Sequence, residues 1–468
     1  MTSPTATFSG PTAALCRFAA GLRHVDLTEH DRNSVRRHLL DTLGSTIAGA
    51  AGTPSRIAAA VLAENGCGGD VPVPGFSQRT DRLTAAYLGG ASAHGLELDD
   101  GFRAGSVHPG APVIPAILAA AYGTGMSGER VSAAIAVGYE LTTRIAAAGH
   151  PGSRNRGFHN TSIAGVLGAA AAVGSLLGMD ADRIEHALGI AASSAGGLFA
   201  FLQGGGEIKR LHPGMAAREG LYAALLARAG ITGPRGVLEG RDGFFQAYSG
   251  SAKLELLTDG LDPMAGLNVG RCYMKPYACC RHIHPAVDGI INLVAEHGLD
   301  AAEIDCIKAG TYAIAAEHAH GSWTDMASAQ LSYQFCVATA ALKARVDLED
   351  FAAPALDDSA TDGLARRVEV AVDPEREASY PGNRSAGVAA LMRDGRRFET
   401  LIDEPRGSAK YPLSDAEVTA KFLALARPVL GSDGADAVVA LTGRLEALPS
   451  ADDLVAATAP KAGTRLAA

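Results

Sequence analysis

The sequence predicts a mostly α-helical protein with a smaller α+β part, and three observations carry that prediction. Up to about residue 266, apolar residues recur at helical spacing between short Gly-containing joints, and nothing alternates β-α-β. Between 267 and 407 period-two patterns and a hairpin signal appear. From 408 to 468 the helical pattern returns. A chain of 468 residues is also too long for one ordinary core, so at least two domains are expected. Only 5% of the residues are aromatic and 56 are glycine, which predicts helices packed closely through Ala, Gly and Leu.

Taken in order, Pro11 to about His24 reads as a short helix. Thr28 opens the next one, with Asp31 three residues on as a capping-box analogue. Val35, Leu39, Leu43 and Ile47 give that helix a buried stripe. Helices also fit 55–64, 80–97, 111–123 and 127–147, the last with Val131, Ile135, Tyr139, Leu141 and Ile145 on its apolar face. Asp182 is expected to cap 183–200, and 212–229 follows as a further helix. Residues 267–273 and 304–313 read as strands, and 284–297 and 329–345 as helices. Val368, Val370 and Val372 alternate with Glu369 and Ala371 as a strand does, while 387–392 and 397–402 flank a turn at Asp394-Gly395. Ser414 then caps a helix over 414–427, another covers 432–446, and the tail after Pro449 is expected to be loose.

Composition excludes several function classes. A net charge of −9 from 41 basic and 50 acidic residues argues against a nucleic-acid partner, which leaves a basic footprint; it does not forbid an anionic substrate. The seven cysteines are scattered without C-x-x-C spacing, as in a cytoplasmic protein with reduced thiols. The N-terminus lacks the basic and apolar regions of a signal peptide. Two uncharged runs, 104–128 and 161–179, are read as buried helices rather than membrane spans, because one contains His108 and three prolines and the other is weakly hydrophobic. There is no Walker A sequence, and Gly204-Gly205-Gly206 lacks a strand-to-helix context, so these glycines are read as a bend beside Lys209.

Residues 94–115, H-G-L-E-L-D-D-G-F-R-A-G-S-V-H-P-G-A-P-V-I-P, concentrate the chemistry. Glu97, Asp99, Asp100, Arg103, His94 and His108 form a polar knot between apolar stretches. Buried charge is costly unless paired or used, so the knot is either a structural ion network or a reaction site. Placed at the end of the 80–97 helix, three carboxylates cannot all ionise cheaply in a dry site. His108 precedes a proline and a helix start, where it can donate to a carboxylate or serve structure alone. His159, in G-F-H-N-T before an apolar helix, is delivered inward as a candidate general base, with helix-terminal hydrogen bonding as the bland alternative. Lys209, Arg210 and His212 follow the three glycines; an ammonium there suits a substrate carboxylate, although Arg210 reads as solvated. In K-P-Y-A-C-C-R-H-I-H-P-A-V-D (275–288) the Cys279, Cys280, His282 and His284 set has poor spacing for zinc. Anion binding by Arg281 and a catalytic or binding role for His284 fit better, and no metal site is expected. Tyr333, in A-Q-L-S-Y, adds a weaker candidate. His, Lys, Arg and carboxylates without a cofactor motif suit proton abstraction beside a carboxylate, with fixed cations stabilising the enolate-like charge.

These segments, in this order, resemble the MmgE/PrpD family, which includes 2-methylcitrate dehydratase, cis-aconitate decarboxylase and iminodisuccinate epimerase. The resemblance runs from about residue 12 to 430. It rests on L-L-D-T-L-G-S-T-I-A-G (39–49), H-G-L-E-L-D-D with H-P-G-A-P-V-I-P-A, G-F-H-N-T, K-R-L-H-P-G-M-A-A (209–217), K-P-Y-A-C-C-R-H-I-H, A-Q-L-S-Y and Y-P-L-S (411–414). It implies a helical domain from both chain ends (1–266 and 408–468) and an α+β lid (267–407). It further implies a homodimer, and cofactor-independent chemistry on small di- or tricarboxylic acids in the cleft between the domains. By position it assigns the active-site acid to Glu97, histidines to His108, His159 and His284, a lysine to Lys209, and the paired aspartates to Asp99 and Asp100. Two departures stand out: Glu97 where Asp is usual, and Gly101 where Thr or Ser commonly follows the aspartates.

The expected function is therefore a lyase on a small polycarboxylate, with dehydration placed ahead of decarboxylation. His159 is the base; Lys209, His212 and Arg281 clamp carboxylates; Glu97 or His108 handles the second proton; Asp99, Asp100, Arg103 and Tyr333 complete the binding set. An epimerase using the same base, and a binding protein without turnover, are the alternatives.

Overall fold

A computed structural model describes residues 9–201 and 207–460. The chain divides into two compact units, Met1–Tyr273 with Ser414–Ala468, and Met274–Leu413. The bend expected at Gly204–Gly206 lies outside the described residues.

The first unit is built from helices α1 (Pro11–Gly21), α2 (Glu29–Gly49), α3 (Thr53–Glu64), α4 (Arg82–Ala93), α5 (Gly110–Ala121), α6 (Gly128–Gly149), α7 (Asn160–Leu176), α8 (Ala181–Ser193) and α9 (Ile208–Ala229). Four of these helices, α2, α4, α6 and α8, start at short polar side chains that satisfy first-turn amides. Thr28 and Asp31 close the capping box of α2, Asp81 accepts from Leu83 and Thr84 at α4, and Ser127 accepts from Arg130 at α6. Helix α7 is almost wholly buried and packs against α6 and α9 through Ala and Gly. Leu39, Leu43 and Ile47 of α2 are buried as the stripe requires, each contributing about 1.5–3 kcal/mol of apolar transfer.

Several boundaries differ from the sequence reading. The helix expected over 80–97 stops at Ala93, and beyond it Glu97 takes a left-handed backbone at φ 55° that no right-handed helix can continue. Glu97, Asp99 and Asp100 therefore stand on a loop. The helix expected over 183–200 spans Ala181–Ser193, and Asp180 rather than Asp182 accepts from the Arg183 amide; Asp182 pairs with Arg235 instead. Helix α9 starts at Ile208, so Lys209 and His212 lie within its opening turns. Residues 267–273 form no strand: Asn268–Arg271 is a 3₁₀ turn, and Tyr273 makes a single bridge with Gly101. A small two-stranded ribbon, β1 (Val71–Pro72) and β2 (Arg79–Thr80), interrupts the helices.

In the second unit, α10 (His284–His297) and α11 (Tyr333–Lys343) pack together. Alongside them β3 (Ile304–Thr311), β4 (Val368–Val372), β5 (Ala386–Met392) and β6 (Arg397–Ile402) form a sheet in the order β4-β3-β5-β6. Strand β3 is parallel to β4 and antiparallel to β5, which pairs antiparallel with β6 around the Asp394-Gly395 turn. Helix α10 covers β5 and β6. Strand β4 is an edge, so its valines grade from buried Val368 to exposed Val372.

The first unit is completed by α12 (Asp415–Gly443), bent where Gly431 takes φ 72°, and α13 (Asp452–Ala457). The tail is thus not loose over 452–457: Leu454 and Val455 are buried, and apolar burial overrides the small, polar composition around them. Among the described residues no helix is long and apolar enough to cross a membrane.

Candidate active site

The site of the first unit rests on a polar stripe that runs up α2. Asp31, Ser34, His38, Asp41 and Ser45 recur every three or four residues and are all buried, which polar groups tolerate only with partners. Asp100 is one such partner. Its carboxylate accepts from the Tyr139 hydroxyl at 2.7 Å and the Gly110 amide at 3.1 Å, and lies 2.8 Å from His38 Nδ1. Residue 110 is glycine for lack of room: a Cβ there would run into Thr42 Oγ1, the Tyr139 hydroxyl and Asp100. Lys421, from α12, donates to Asp41 at 2.6 Å and to the Leu98 carbonyl at 2.7 Å. Burial raises the Asp41 pKa and the Lys421 ammonium opposes that rise. The loop carrying residues 98–100 is thereby held from below by α2 and α12.

Four imidazoles gather on this base. His94 Nδ1 is 2.6 Å from Asp99 Oδ2, and both side chains are fully buried. His108 Nδ1 lies 2.6 Å from the Asp100 carbonyl and 3.3 Å from Asp99, and its backbone amide donates to Thr161 Oγ1 at 3.2 Å. The His94 ring is 5.0 Å from His108 and 5.7 Å from His159 between centroids. His159 caps the N-terminus of α7 through its backbone and turns its ring onto His212, Nδ1 to Nδ1 at 3.0 Å. One of those two nitrogens carries the hydrogen and the other accepts it, so the rings share a single proton there. Phe199 and Phe201 close edge-on around His159 at 5.1 and 5.6 Å.

Electrostatics follow from this crowding. Burial, reinforced by His94, His212 and Lys209, pushes the His159 pKa well below its ordinary 6.5. Burial does the same to His212, with His94 and Lys209 adding to it, and takes that ring to about 4. Both rings are neutral near pH 7. Lys209, its side chain only 18% exposed, donates to Glu97 Oε1 with its ammonium over the Phe201 face. Glu97 holds that pose from a backbone whose left-handed φ of 55° costs about 1–2 kcal/mol in a non-glycine residue. Arg103 sits half-buried in the turn that Phe102 and Val107 close.

The first unit thus brings Glu97, Asp99, Asp100, His108, His159, Lys209 and His212 into one cluster. Arg281, His284 and Tyr333 belong to the second unit. There Arg281 donates to the Arg406 and Pro405 carbonyls at 2.7 and 3.2 Å and lies 2.9 Å from His284 Nδ1. His284 Nε2 is 3.2 Å from the Cys279 carbonyl, an arrangement in which Nε2 donates and Nδ1 accepts. Tyr333 is buried at the start of α11, and burial raises its phenol pKa. The Cys279, Cys280, His282 and His284 set divides among partners: Cys280 faces His318 at 3.5 Å and His282 faces the Tyr312 hydroxyl at 2.6 Å.

His94, Asp99 and His108 offer ligand atoms within 4.8 Å of one another. The 2.6 Å between His94 Nδ1 and Asp99 Oδ2 is nevertheless a hydrogen-bond separation. Two ligands of a tetrahedral metal bound at about 2.0–2.1 Å stand roughly 3.3 Å apart. The trio is better described as a carboxylate that orients two imidazoles.

The sequence assigns no site role to His38, Asp41, Tyr273, Phe199 or Lys421, puts Tyr139 only on an apolar helix face, and leaves His94 without a role of its own in the polar knot. Residues His38 and Asp41 carried a signal, since polar residues spaced along a helix that must be buried point to a partner. Tyr139 and Lys421 carried none: their partners lie 39 and 323 residues away.

Comparison with known proteins adds the lineage. The MmgE/PrpD N-terminal domain matches residues 13–257 and the MmgE/PrpD C-terminal domain matches residues 277–446. The chain is 29% identical over 453 residues to a cis-aconitate decarboxylase of Aspergillus terreus, covering 90% of each. It is 27% identical over 451 residues to a cis-aconitate decarboxylase-like protein of Aspergillus oryzae, covering 90% of this chain and 92% of the other. To the cis-aconitate decarboxylase of Homo sapiens it is 26% identical over 454 residues, covering 92% of this chain and 90% of the other.

Proposed function

The chain belongs to the MmgE/PrpD family, and from that premise we propose that it is a lyase acting on a small di- or tricarboxylic acid. The observation that carries the reading is the buried, neutral His159 imidazole, hydrogen-bonded to His212 beside the Lys209 ammonium. An electron pair that develops next to a carboxylate is spread onto it as an enolate, and a fixed cation stabilises that charge most where water is scarce. Lys209 supplies the cation, and Glu97 holds it in place.

Two routes lead to that electron pair. In the first, a carbon–hydrogen bond breaks, His159 takes the proton, and the pair either expels a hydroxide, which leaves as water with a proton from a second group, or takes a proton from that group on the opposite face. In the second, a carbon–carbon bond breaks, CO₂ leaves, and an imidazole N–H of the cluster returns a proton to carbon. The neutral ring favours the first route, whereas the names of the relatives support the second and move decarboxylation ahead of dehydration. His212 acts through its hydrogen bond to His159, and Glu97 or His108 handles the second proton. Resemblance adds Arg281 and His284 to the residues whose loss is expected to lower turnover, and adds a homodimeric assembly without a cofactor.

The test is a panel of di- and tricarboxylic acids, followed for released CO₂, new alkene absorbance and deuterium uptake from heavy water. A lyase releases CO₂ or gains alkene absorbance. Deuterium uptake alone selects the epimerase, and none of the three signals with any acid overturns the enzyme reading. Lys209→Ala should lower turnover about 10²–10⁴-fold at unchanged circular dichroism.

A further inference from the structure

Gly101 follows the paired aspartates directly, and its backbone is paired with Tyr273 in both directions. The Gly101 amide donates to the Tyr273 carbonyl at 3.0 Å, and the Tyr273 amide donates to the Gly101 carbonyl at 2.8 Å. The side chain of Tyr273 folds back over this bridge. A Cβ built on Gly101 would overlap the phenol oxygen and the ring carbons next to it. The phenol therefore fills the space that any side chain at position 101 would use. Its ring stands edge-on to His108, with centroids 6.5 Å apart at 85°.

Tyr273 is not placed there by the bridge alone. The segment before it is tied to two helices of the same unit. The Leu267 amide donates to Asp31 at 2.9 Å, the Asn268 amide to Glu140 at 2.6 Å, and the Asn268 side chain to Thr143 at 3.0 Å. A buried acid, Glu140, is thus used to fix this turn, which holds the phenol against the loop that carries Asp99, Asp100 and His108.

We propose that Tyr273 is a specificity-determining residue whose hydroxyl donates to a substrate carboxylate beside His108, with Gly101 as its obligatory steric partner. The proposal rests on the lyase reading and deepens it. A phenol brings a hydroxyl to a loop position that has no side chain of its own, and it brings a ring with it. The ring narrows the space next to His108. The substrate class that fits is a compact dicarboxylic acid in preference to a branched tricarboxylic acid. An O–H donated to a carboxylate is a charge-assisted bond, so its loss is expected to weaken binding about tenfold to a hundredfold.

The experiment compares wild type, Tyr273→Phe, Tyr273→Ala, Gly101→Thr and the double variant Gly101→Thr/Tyr273→Ala. Each is assayed for KM and kcat on succinate-sized and citrate-sized acids, and for thermal stabilisation by the same acids. Tyr273→Phe should raise KM about tenfold to a hundredfold while kcat and the unliganded Tm stay near wild type. Gly101→Thr should lose both activity and Tm, because its side chain meets the phenol. The double variant should regain at least tenfold over Tyr273→Ala and shift preference towards the larger acid. Unchanged KM in Tyr273→Phe, on a substrate that wild type turns over, overturns this proposal and leaves the lyase reading intact. If wild type turns over none of the acids, equal thermal stabilisation of wild type and Tyr273→Phe overturns it. A wild type that is neither active on nor stabilised by any of them overturns both.

Discussion

Two buried polar clusters, one in each unit, use the same residue types to opposite ends. In the second unit Tyr277 donates to Asp288 at 2.6 Å, Asp288 accepts from the Arg406 amide at 2.7 Å, and Arg281 donates to the Pro405 and Arg406 carbonyls. His284 bridges Arg281 and the Cys279 carbonyl. The charge and the imidazole are answered largely by backbone, and the result ties residues 277–288 to 405–406. In the first unit imidazoles face imidazoles, two of them with depressed pKa values, and His94 Nε2 is buried with no hydrogen-bond partner among the described residues. Glu97 adds a left-handed backbone. Groups that disfavour one another's charge, held together by strain and by supports from below, mark a site more surely than buried polarity does.

The comparison is broken most directly by removing one member from each cluster. His159→Gln should lower turnover about 10²–10⁴-fold while leaving the urea midpoint close to wild type, since glutamine can keep one hydrogen bond to His212. Asp288→Asn should act the other way, on stability. It weakens the acceptor of the Arg406 amide and the Tyr277 hydroxyl, at a cost of about 1–3 kcal/mol, and speeds hydrogen exchange at Arg406. Equal stability losses in the two variants would erase the distinction between a site and a clamp.

A second test sharpens the contrast through pH. His159 and His212 have folded pKa values below the unfolded 6.5, so the unfolded chain binds more protons than the folded one as pH falls. Their contribution to stability is complete above about 6.5 and is lost progressively below it, for His212 down to about 4. Burial raises the pKa of Asp41 and Asp288, which opposes the loss lower in the range. The urea midpoint should fall from pH 7.5 to 5, and His212→Gln should flatten that slope. A slope unchanged in the variant would remove His212 from the set of buried neutral rings.

Much of the site was legible in the chain because its residues crowd into apolar surroundings: Glu97, Asp99, Asp100 and His108 within twelve positions, and His159, Lys209 and His212 at the starts of buried helices. The period-two valines and the Asp394-Gly395 turn made the sheet legible in the same way. What escaped depends on three-dimensional closure. A left-handed glutamate is not predictable from propensity, so the sequence pattern carries to 97 a helix that ends at Ala93. Which nitrogen of His94 meets Asp99 is set by packing, not spacing. Residues 267–273, expected as a strand, turn at 268–271 instead, because the Leu267 and Asn268 amides and the Asn268 side chain donate to Asp31, Glu140 and Thr143.

The smallest expected effect concerns strain. Ser106 and Ala344 both hold left-handed backbones, at φ 46° and 54°, one in the turn that presents His108 and the other at the C-terminus of α11. Replacing either by glycine removes a steric cost of about 1–2 kcal/mol and adds an unfolded-state entropy cost of about 0.5–1 kcal/mol. Each variant should therefore be slightly more stable, by roughly 0.5–1 kcal/mol, visible as a raised urea midpoint. Their activities should diverge. Ala344→Gly only relaxes a helix end and should leave kcat and KM as they are. Ser106→Gly loosens the turn two positions before His108, and should lower kcat severalfold. If both variants gain stability and neither loses activity, the strained turn at Ser106 has no part in orienting His108, and strain near the cluster would have to be credited to Glu97 alone.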